Sequence, residues 1–334
     1  MLHTLISKVL GNFKRVSFLK MSPLIFNLPH PIALNFSRFH SFATLSLPTF
    51  NNYGLNTDLM NALKNQEIHT PSPIQQMAIP SILKQTNENF YLAAQTGTGK
   101  TLAYLLPILH IIKSLEKNNE KNTLPNRPFA IIIVPSKELV EQILKVCKSF
   151  LHLIKLNAGG IGLNRSYMQE KRMLDQGVDI LVTTIDRMEN HQKKNNVFLS
   201  KTMFLVIDEA DTLIDSGFKE AIQEFIQISL KLKIKIIFVS ATYTAPLYRL
   251  FDESFGKNSM VLKKIIEKKT HMNLSNLHHE FIHIKDLDKQ TPLIKILKEY
   301  KEKIKKTKGA TLIFCNTVPS CQSLEYKLKQ EGKQ

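Results

Sequence analysis

FYLAAQTGTGKTLAYLLPILHII, residues 90–112, sets a short apolar run, a glycine-rich turn and a helix-length apolar segment in direct succession. FYLAA has the length and composition of a buried strand, and the segment from Leu102 to Ile112 suits a helix. Between them, Ala94-Gln95-Thr96-Gly97-Thr98-Gly99-Lys100-Thr101 has P-loop spacing, with Ala94 where the general pattern has Gly. Glycines there let backbone N–H groups turn inward around phosphate oxygens, Lys100 brings a point charge to the β/γ-phosphates, and the Thr101 hydroxyl can ligate Mg²⁺. The strand before and the helix after supply the context such a loop needs, so ATP or GTP is the expected ligand.

Further β-branched apolar runs follow at helix-length intervals: FAIIIV (129–134), DILVT (179–183), FLVID (204–208) and IKIIFVS (234–240). Strands of this kind, apolar on both faces, predict a parallel sheet wrapped in helices, an α/β fold. Residues 257–277 are polar and basic and read as a linker. A second alternation then begins with EFIHI (280–284), followed by a helical segment through Lys306, ATLIFC (310–315) and a last helical segment from about Pro319.

FLVIDEAD ends a strand with Asp208-Glu209-Ala210-Asp211. A carboxylate at a strand tip beside the P-loop strand can hold the Mg²⁺ shell, and its neighbour can orient or deprotonate the attacking water. Clustered acids at a helix start also favour the positive end of the helix dipole, so the tetrapeptide alone decides little. Its pairing with the P-loop is what points to nucleotide hydrolysis, with Lys100, Asp208 and Glu209 as the catalytic candidates.

In order along the chain, these motifs resemble those of a DEAD-box ATP-dependent RNA helicase, from about Phe50 to the last residue. The resemblance implies two RecA-like domains: 46–256 as the ATP-binding first domain and 278–334 as part of a second, with 257–277 linking them and 1–45 as a transit peptide or disordered arm. It places Gln75 of TPSPIQ on adenine and Phe50 as the aromatic stacked on the base, while Ser72-x-x-Gln75 also fits a helix capping box with Pro73 at the first helical position. It assigns Ala94 to Thr101 to ATP, Thr101 and Asp208 to Mg²⁺ (the latter through water), and Asp211, Ser240 and Thr242 to coupling nucleotide state to strand separation. Pro135 and Lys137 of PSKELVEQ, Gly160 of the Gly159-Gly160 pair, and Thr184 and Arg187 fall at RNA-contacting positions, and LIFCNT (312–317) resembles a motif of the second domain.

The chain also departs from the family pattern. Thr184-Ile185-Asp186-Arg187-Met188 stands where most members have TPGRL, so Asp186 brings negative charge to a loop expected near RNA phosphates, and Lys137 replaces a planar Arg fork with a point charge. No later segment in the sequence supplies the family's cross-cleft arginines, so the expectation is an incomplete helicase core with negligible hydrolysis by itself. Two other function classes stay open: a non-catalytic RNA-binding or ribosome-assembly factor, and a P-loop ATPase acting on DNA or proteins.

The charge is unevenly spread. Lys and Arg number 45 against 28 Asp and Glu, giving +17; residues 1–57 hold five basic residues and no acid, and 257–334 hold 17 basic against 8 acidic residues. Cys147, Cys315 and Cys321 lack metal-ligand spacing and are expected to be reduced core filler, and no apolar run reaches the roughly 18 residues of a membrane span, so no membrane partner is expected. MLHTLISKVLGNFKRVSFLKM has the amphipathic, basic, acid-free composition of a mitochondrial transit peptide, the alternative being a basic arm touching nucleic acid in the nucleus or cytoplasm. The expected RNA is accordingly mitochondrial, with ribosomal RNA in assembly particles the foremost case, bound without sequence specificity. A fusion of residues 1–45 to a fluorescent reporter should enter mitochondria and stay in the cytosol when Lys14 and Arg15 become Glu; a wild-type fusion imaged in the cytosol or nucleus would overturn that address.

Overall fold

The computed structural model describes residues 48–84, 88–117, 123–256, 262–267, 280–282, 289–307 and 310–330. The basic segment 1–45 lies outside them, as do residues 268–279 of the expected linker and second domain.

Among the described residues, seven parallel strands form one sheet in the order β3-β4-β2-β5-β6-β1-β7: β1 is Asn89–Ala93, β2 Ala130–Val134, β3 Ala158–Ile161, β4 Ile180–Thr184, β5 Phe204–Ile207, β6 Lys235–Ser240 and β7 Leu262–Ile266. The five apolar runs of the sequence became β1, β2, β4, β5 and β6. Every residue of β1, β2, β4 and β5 is buried, as expected of strands covered on both faces. Alternate residues feed two cores. Phe90, Leu92, Ile132 and Val206 pack against the helices Thr57–Asn65, Pro73–Leu83, Lys100–Lys117 and Lys137–Ile154. Tyr91, Ala93, Ile131 and Phe238 face the helices Ile185–Lys193, Ala210–Asp215, Lys219–Lys231 and Ala245–Phe255.

Local signals fix where these helices start. Asn56 accepts from the Leu59 amide at 2.9 Å and Ser136 from the Leu139 amide at 3.3 Å, each satisfying an otherwise orphan donor. In Lys137–Ile154 the buried side chains Val140, Ile143, Leu144, Cys147, Phe150, Leu151 and Ile154 recur at helical spacing and form one stripe.

Several expectations are corrected. The stretch read as linker contains β7, which pairs with β1 along its length, Asn89 opposite Leu262 through Ala93 opposite Ile266, so the first sheet extends past residue 256. Only Leu262 and Ile265 of β7 are buried, which is why an edge strand read as polar linker. The strand β3 went unread because its sequence, AGGI, has almost no apolar side chain to signal it. Among the described residues of the expected second domain, helices occupy Gln290–Thr307 and Val318–Gln330, but 280–282 and 310–315 form no strand. Their apolar side chains stand exposed, Phe281 at 94% and Phe314 at 87%, since a strand exists only where a neighbour completes its ladder. Of the cysteines only Cys147 is core filler, its thiol pushed up to about 12 by burial, whereas Cys315 is half-buried and Cys321 exposed.

Both glycines of the 159–160 pair are set by packing. A Cβ on Gly160 would lie 2.3 Å from Leu144 Cδ1 and 3.2 Å from Val140 Cγ1, and one on Gly159 2.6 Å from Met173 Sδ. The bare strand therefore lets helices on its two faces approach closely. Gly160→Val should cost about 1–3 kcal/mol through overpacking, read as a lower denaturant midpoint at unchanged m-value. An unchanged midpoint would refute the packing role of Gly160.

Candidate nucleotide site and the adjoining strand ends

Parallel strands end on one rim of the sheet, so the loops after β1, β5 and β6 are neighbours, as are those after β2, β4 and β3. Ala94 to Thr101, Asp208, Glu209, Asp211, Ser240 and Thr242 fall on the first group and the expected RNA residues on the second, while Phe50 and Gln75 come from the segments before β1.

After β1 the chain turns through Gly97 (φ +81°) and Gly99 (φ +88°), left-handed conformations that favour glycine. Lys100 Nζ donates to Ala94 O at 2.6 Å and Gln95 O at 2.9 Å, and the Thr98 hydroxyl to Gln95 O at 2.7 Å, which folds the loop around the lysine. Burial holds the Lys100 ammonium below its ordinary value, opposed by the field of Asp208, Asp211, Glu209 and Glu267. Thr96 is exposed on the loop and Thr101 half-buried at the start of the following helix.

Gln75 has both amide atoms engaged: Nε2 donates to Gly99 O at 3.0 Å and Oε1 accepts from the Ser72 amide at 3.0 Å. The glutamine is thus bound to the P-loop itself. The expected capping box is present at the start of Pro73–Leu83, its Gln75 arm a full hydrogen bond and its Ser72 Oγ arm a longer approach to the Gln75 amide. Phe50 is corrected outright. It is 1% exposed within the core cluster and meets the edge of Tyr53 at 6.2 Å, so no ring face is open to a base.

Asp208, just beyond β5, is buried and accepts from Tyr104 Oη at Oδ2 (2.9 Å) and from the Glu209 amide at Oδ1 (2.9 Å). Tyr104, on the helix that begins with Lys100 and Thr101, thus ties Asp208 to the P-loop helix. Glu209 follows in left-handed conformation, φ +50°, unusual for a residue with a side chain. Burial, then the charges of Asp208 and Asp211, raise its carboxyl above the ordinary value, and burial likewise raises that of Asp208.

Asp211 reaches across to the end of β6: its Oδ2 accepts from the Thr242 amide at 3.0 Å and from Thr242 Oγ1 at 2.7 Å. Ser240 Oγ donates to Thr242 O at 2.8 Å and lies 2.7 Å from Tyr91 Oη, which also contacts Thr242 O at 3.2 Å. The three coupling candidates therefore form one network anchored to β1. Tyr91 and Tyr104 were missed in the sequence, although a tyrosine inside an apolar strand or helix needs a partner for its hydroxyl and could have flagged both.

On the other half of the rim, Pro135 is half-buried after β2 and Lys137 exposed at the start of its helix. Thr184 ends β4 buried, and Arg187 is one-third exposed. The expected loop at Asp186 is helix: residues 185–193 are helical, and Asp186 sits exposed in the first turn, where an acid favours the helix dipole. Glu170 and His191, both fully buried beside Arg187, carried no signal in the sequence.

With this geometry in view, the comparisons agree. The DEAD/DEAH box helicase model matches residues 72–250, and the chain belongs to that family. It is similar to DEAD-box ATP-dependent RNA helicase 39 of Arabidopsis thaliana, 31% identical over 289 residues, covering 84% of this chain and 45% of that protein. It is also similar to the probable ATP-dependent RNA helicase DDX28 of Mus musculus, 30% identical over 302 residues, covering 84% of this chain and 54% of that one. The crystal structure of the yeast DEAD-box splicing factor Prp28 superposes with a TM-score of 0.52 at 25% identity, over 60% of this chain and 48% of that chain. The chain thus spans about half the length of these relatives.

The raised carboxyl of Glu209 has a consequence for stability. A folded-state value above the unfolded one means that ionisation opposes folding, so the penalty is absent below the ordinary carboxylate range and complete above the raised value. Glu209→Gln should therefore raise the thermal midpoint of the nucleotide-free chain at pH 7, with the gain shrinking toward pH 4 in paired melts.

Proposed function

We propose that the chain binds ATP with Mg²⁺ on the β1, β5 and β6 strand ends and RNA backbone on those of β2, β4 and β3, and couples ATP hydrolysis to local RNA unwinding or remodelling of RNA–protein particles. The observation that carries this reading is the bridge from Asp211 to Thr242, which joins the acidic strand end to the coupling turn one strand away from the P-loop.

The residues fit the nucleotide. The two left-handed glycines and the carbonyl-bound Lys100 make a cradle in which phosphate oxygens can replace Ala94 O and Gln95 O as partners of Nζ. Among the described residues no three His, Cys, Asp or Glu side chains form a metal cage, which suits Mg²⁺ bound largely through phosphates and water. Thr101 would hold it directly and Asp208 through water; when bound it neutralises charge on the phosphates. Glu209, its carboxyl raised above the ordinary value by burial and by its acidic neighbours, orients the attacking water and accepts its proton. Tyr104 keeps the Asp208 carboxylate aimed, and Gln75 holds the Gly99 turn.

For RNA, Lys137 and Arg187 supply phosphate contacts, which position without reading sequence. The acid-free first 57 residues support a mitochondrial address, and ribosomal RNA in assembling particles is the substrate we assign there. Among the described residues no helix is long and apolar enough to cross a membrane.

Fluorescent-ATP titrations and turnover assays test the reading. Lys100→Ala should weaken nucleotide binding by about tenfold or more, whereas Glu209→Gln should bind like wild type and, in any version of the chain able to hydrolyse, lose turnover, because it removes a group needed only as water attacks. Duplex RNA, and not duplex DNA, should stimulate any turnover seen. Equal ATP affinity in wild type and Lys100→Ala would sink the proposal.

A further inference from the structure

Glu170 is fully buried on the helix Tyr167–Asp175, yet none of the chemistry above uses it. Its Oε1 accepts from the Gly162 amide at 2.8 Å, and its Oε2 lies 3.0 Å from His191 Nε2 and 3.9 Å from Arg187 Nη1. Three segments converge on this one carboxylate: the turn after β3, its own helix, and the helix Ile185–Lys193 that follows β4. Their approach is close. Gly162 adopts φ +91°, and a Cβ there would lie 3.1 Å from Thr184 Oγ1 and 3.4 Å from Arg187 Cγ.

The surroundings fix the histidine. Asn196 Nδ2 faces His191 Nδ1 at 3.4 Å and also donates to the Tyr167 hydroxyl, so Nδ1 is the acceptor and the hydrogen directed at Glu170 is on Nε2. Tyr167 stacks on the imidazole at 4.8 Å and 13°, and Lys194 Nζ lies 4.4 Å over the tyrosine ring. The result is a carboxylate held by the Gly162 amide and by His191, with its Oε2 at ion-pair distance, 3.9 Å, from Arg187 Nη1.

We propose that Glu170 is a positioning residue for RNA binding: it fixes the Gly162 turn and the Arg187 guanidinium as one unit, aiming the remaining guanidinium donors at a phosphate. This rests on the RNA-binding reading above, in which Arg187 makes the contact and Glu170 acts only through it. At 3.9 Å the contact is one of charge with charge, which orients the guanidinium and leaves its N–H donors for a second anion.

The test is a double-mutant cycle on the full chain, reading anisotropy of a fluorescein-labelled single-stranded RNA with fluorescent-ATP affinity in parallel. Glu170→Gln keeps the shape and the acceptor for Gly162 but removes the charge. It should weaken RNA binding about three- to tenfold in the wild-type background and have no effect beside Arg187→Ala, while ATP affinity stays within about twofold. An equal loss in both backgrounds would make Glu170 merely structural, and tighter RNA binding in Glu170→Gln would mean that the carboxylate sequesters Arg187; either overturns the proposal. Amide hydrogen exchange on the wild-type chain gives a readout independent of RNA and of the variant's folding. Slow exchange at Gly162 supports the link and fast exchange refutes it. A wild-type chain that fails to bind RNA but keeps Gly162 protected would refute the RNA-binding reading and leave the structural link standing.

Discussion

Burial of the parallel sheet on both faces is the constraint on which the rest depends. β1, β2, β4 and β5 bury every side chain, alternating between two cores, and helices must then cover both sides. With both faces occupied, loops at the strand ends are where polar side chains can meet a ligand, and parallel pairing brings those carboxyl ends to one rim. The strand order then divides the rim. β6 lies between β5 and β1, so the acidic motif, the coupling turn and the P-loop are contiguous, while β2, β4 and β3 carry the other candidates together.

Polar ties across this rim join the ends into units. Asp211 to Thr242, Thr242 to Ser240 and Ser240 to Tyr91 connect β5, β6 and β1 through short hydrogen bonds, and each buried partner left unpaired would cost about 1–3 kcal/mol. Tyr104 performs the same service for Asp208 from the helix after the P-loop. A displacement of any of these loops must therefore break bonds in its neighbours.

Charge in the nucleotide site is held under tension. Asp208 and Glu209 are raised by burial, Glu209 further by its acidic neighbours, and Lys100 is lowered by burial, so each of the three resists its charged form in the bare protein. Glu209 adds left-handed backbone strain of about 1–3 kcal/mol. Under the proposed function, phosphates and a divalent cation would relieve the electrostatic part, since they would bring to each group the opposite charge it lacks.

Residues adjacent in the chain made the P-loop, the acidic motif and five of the seven strands legible in the sequence, because spacing and apolar runs are local properties. β7 and β3 were not, one being an edge strand with lysines outward and the other nearly without side chains, so that only their partners make them strands. The site divides the same way. The positions of Lys100, Asp208 and Glu209 follow from motif spacing, whereas the burial of Phe50, the seizure of Gln75 by Gly99 O and the helical start at Asp186 depend on packing. The joining of Glu170 to Gly162, Arg187 and His191 was decided by tertiary structure alone: hydrogen bonds between side chains on different elements have no period in the sequence, and only the close approach of those elements creates them.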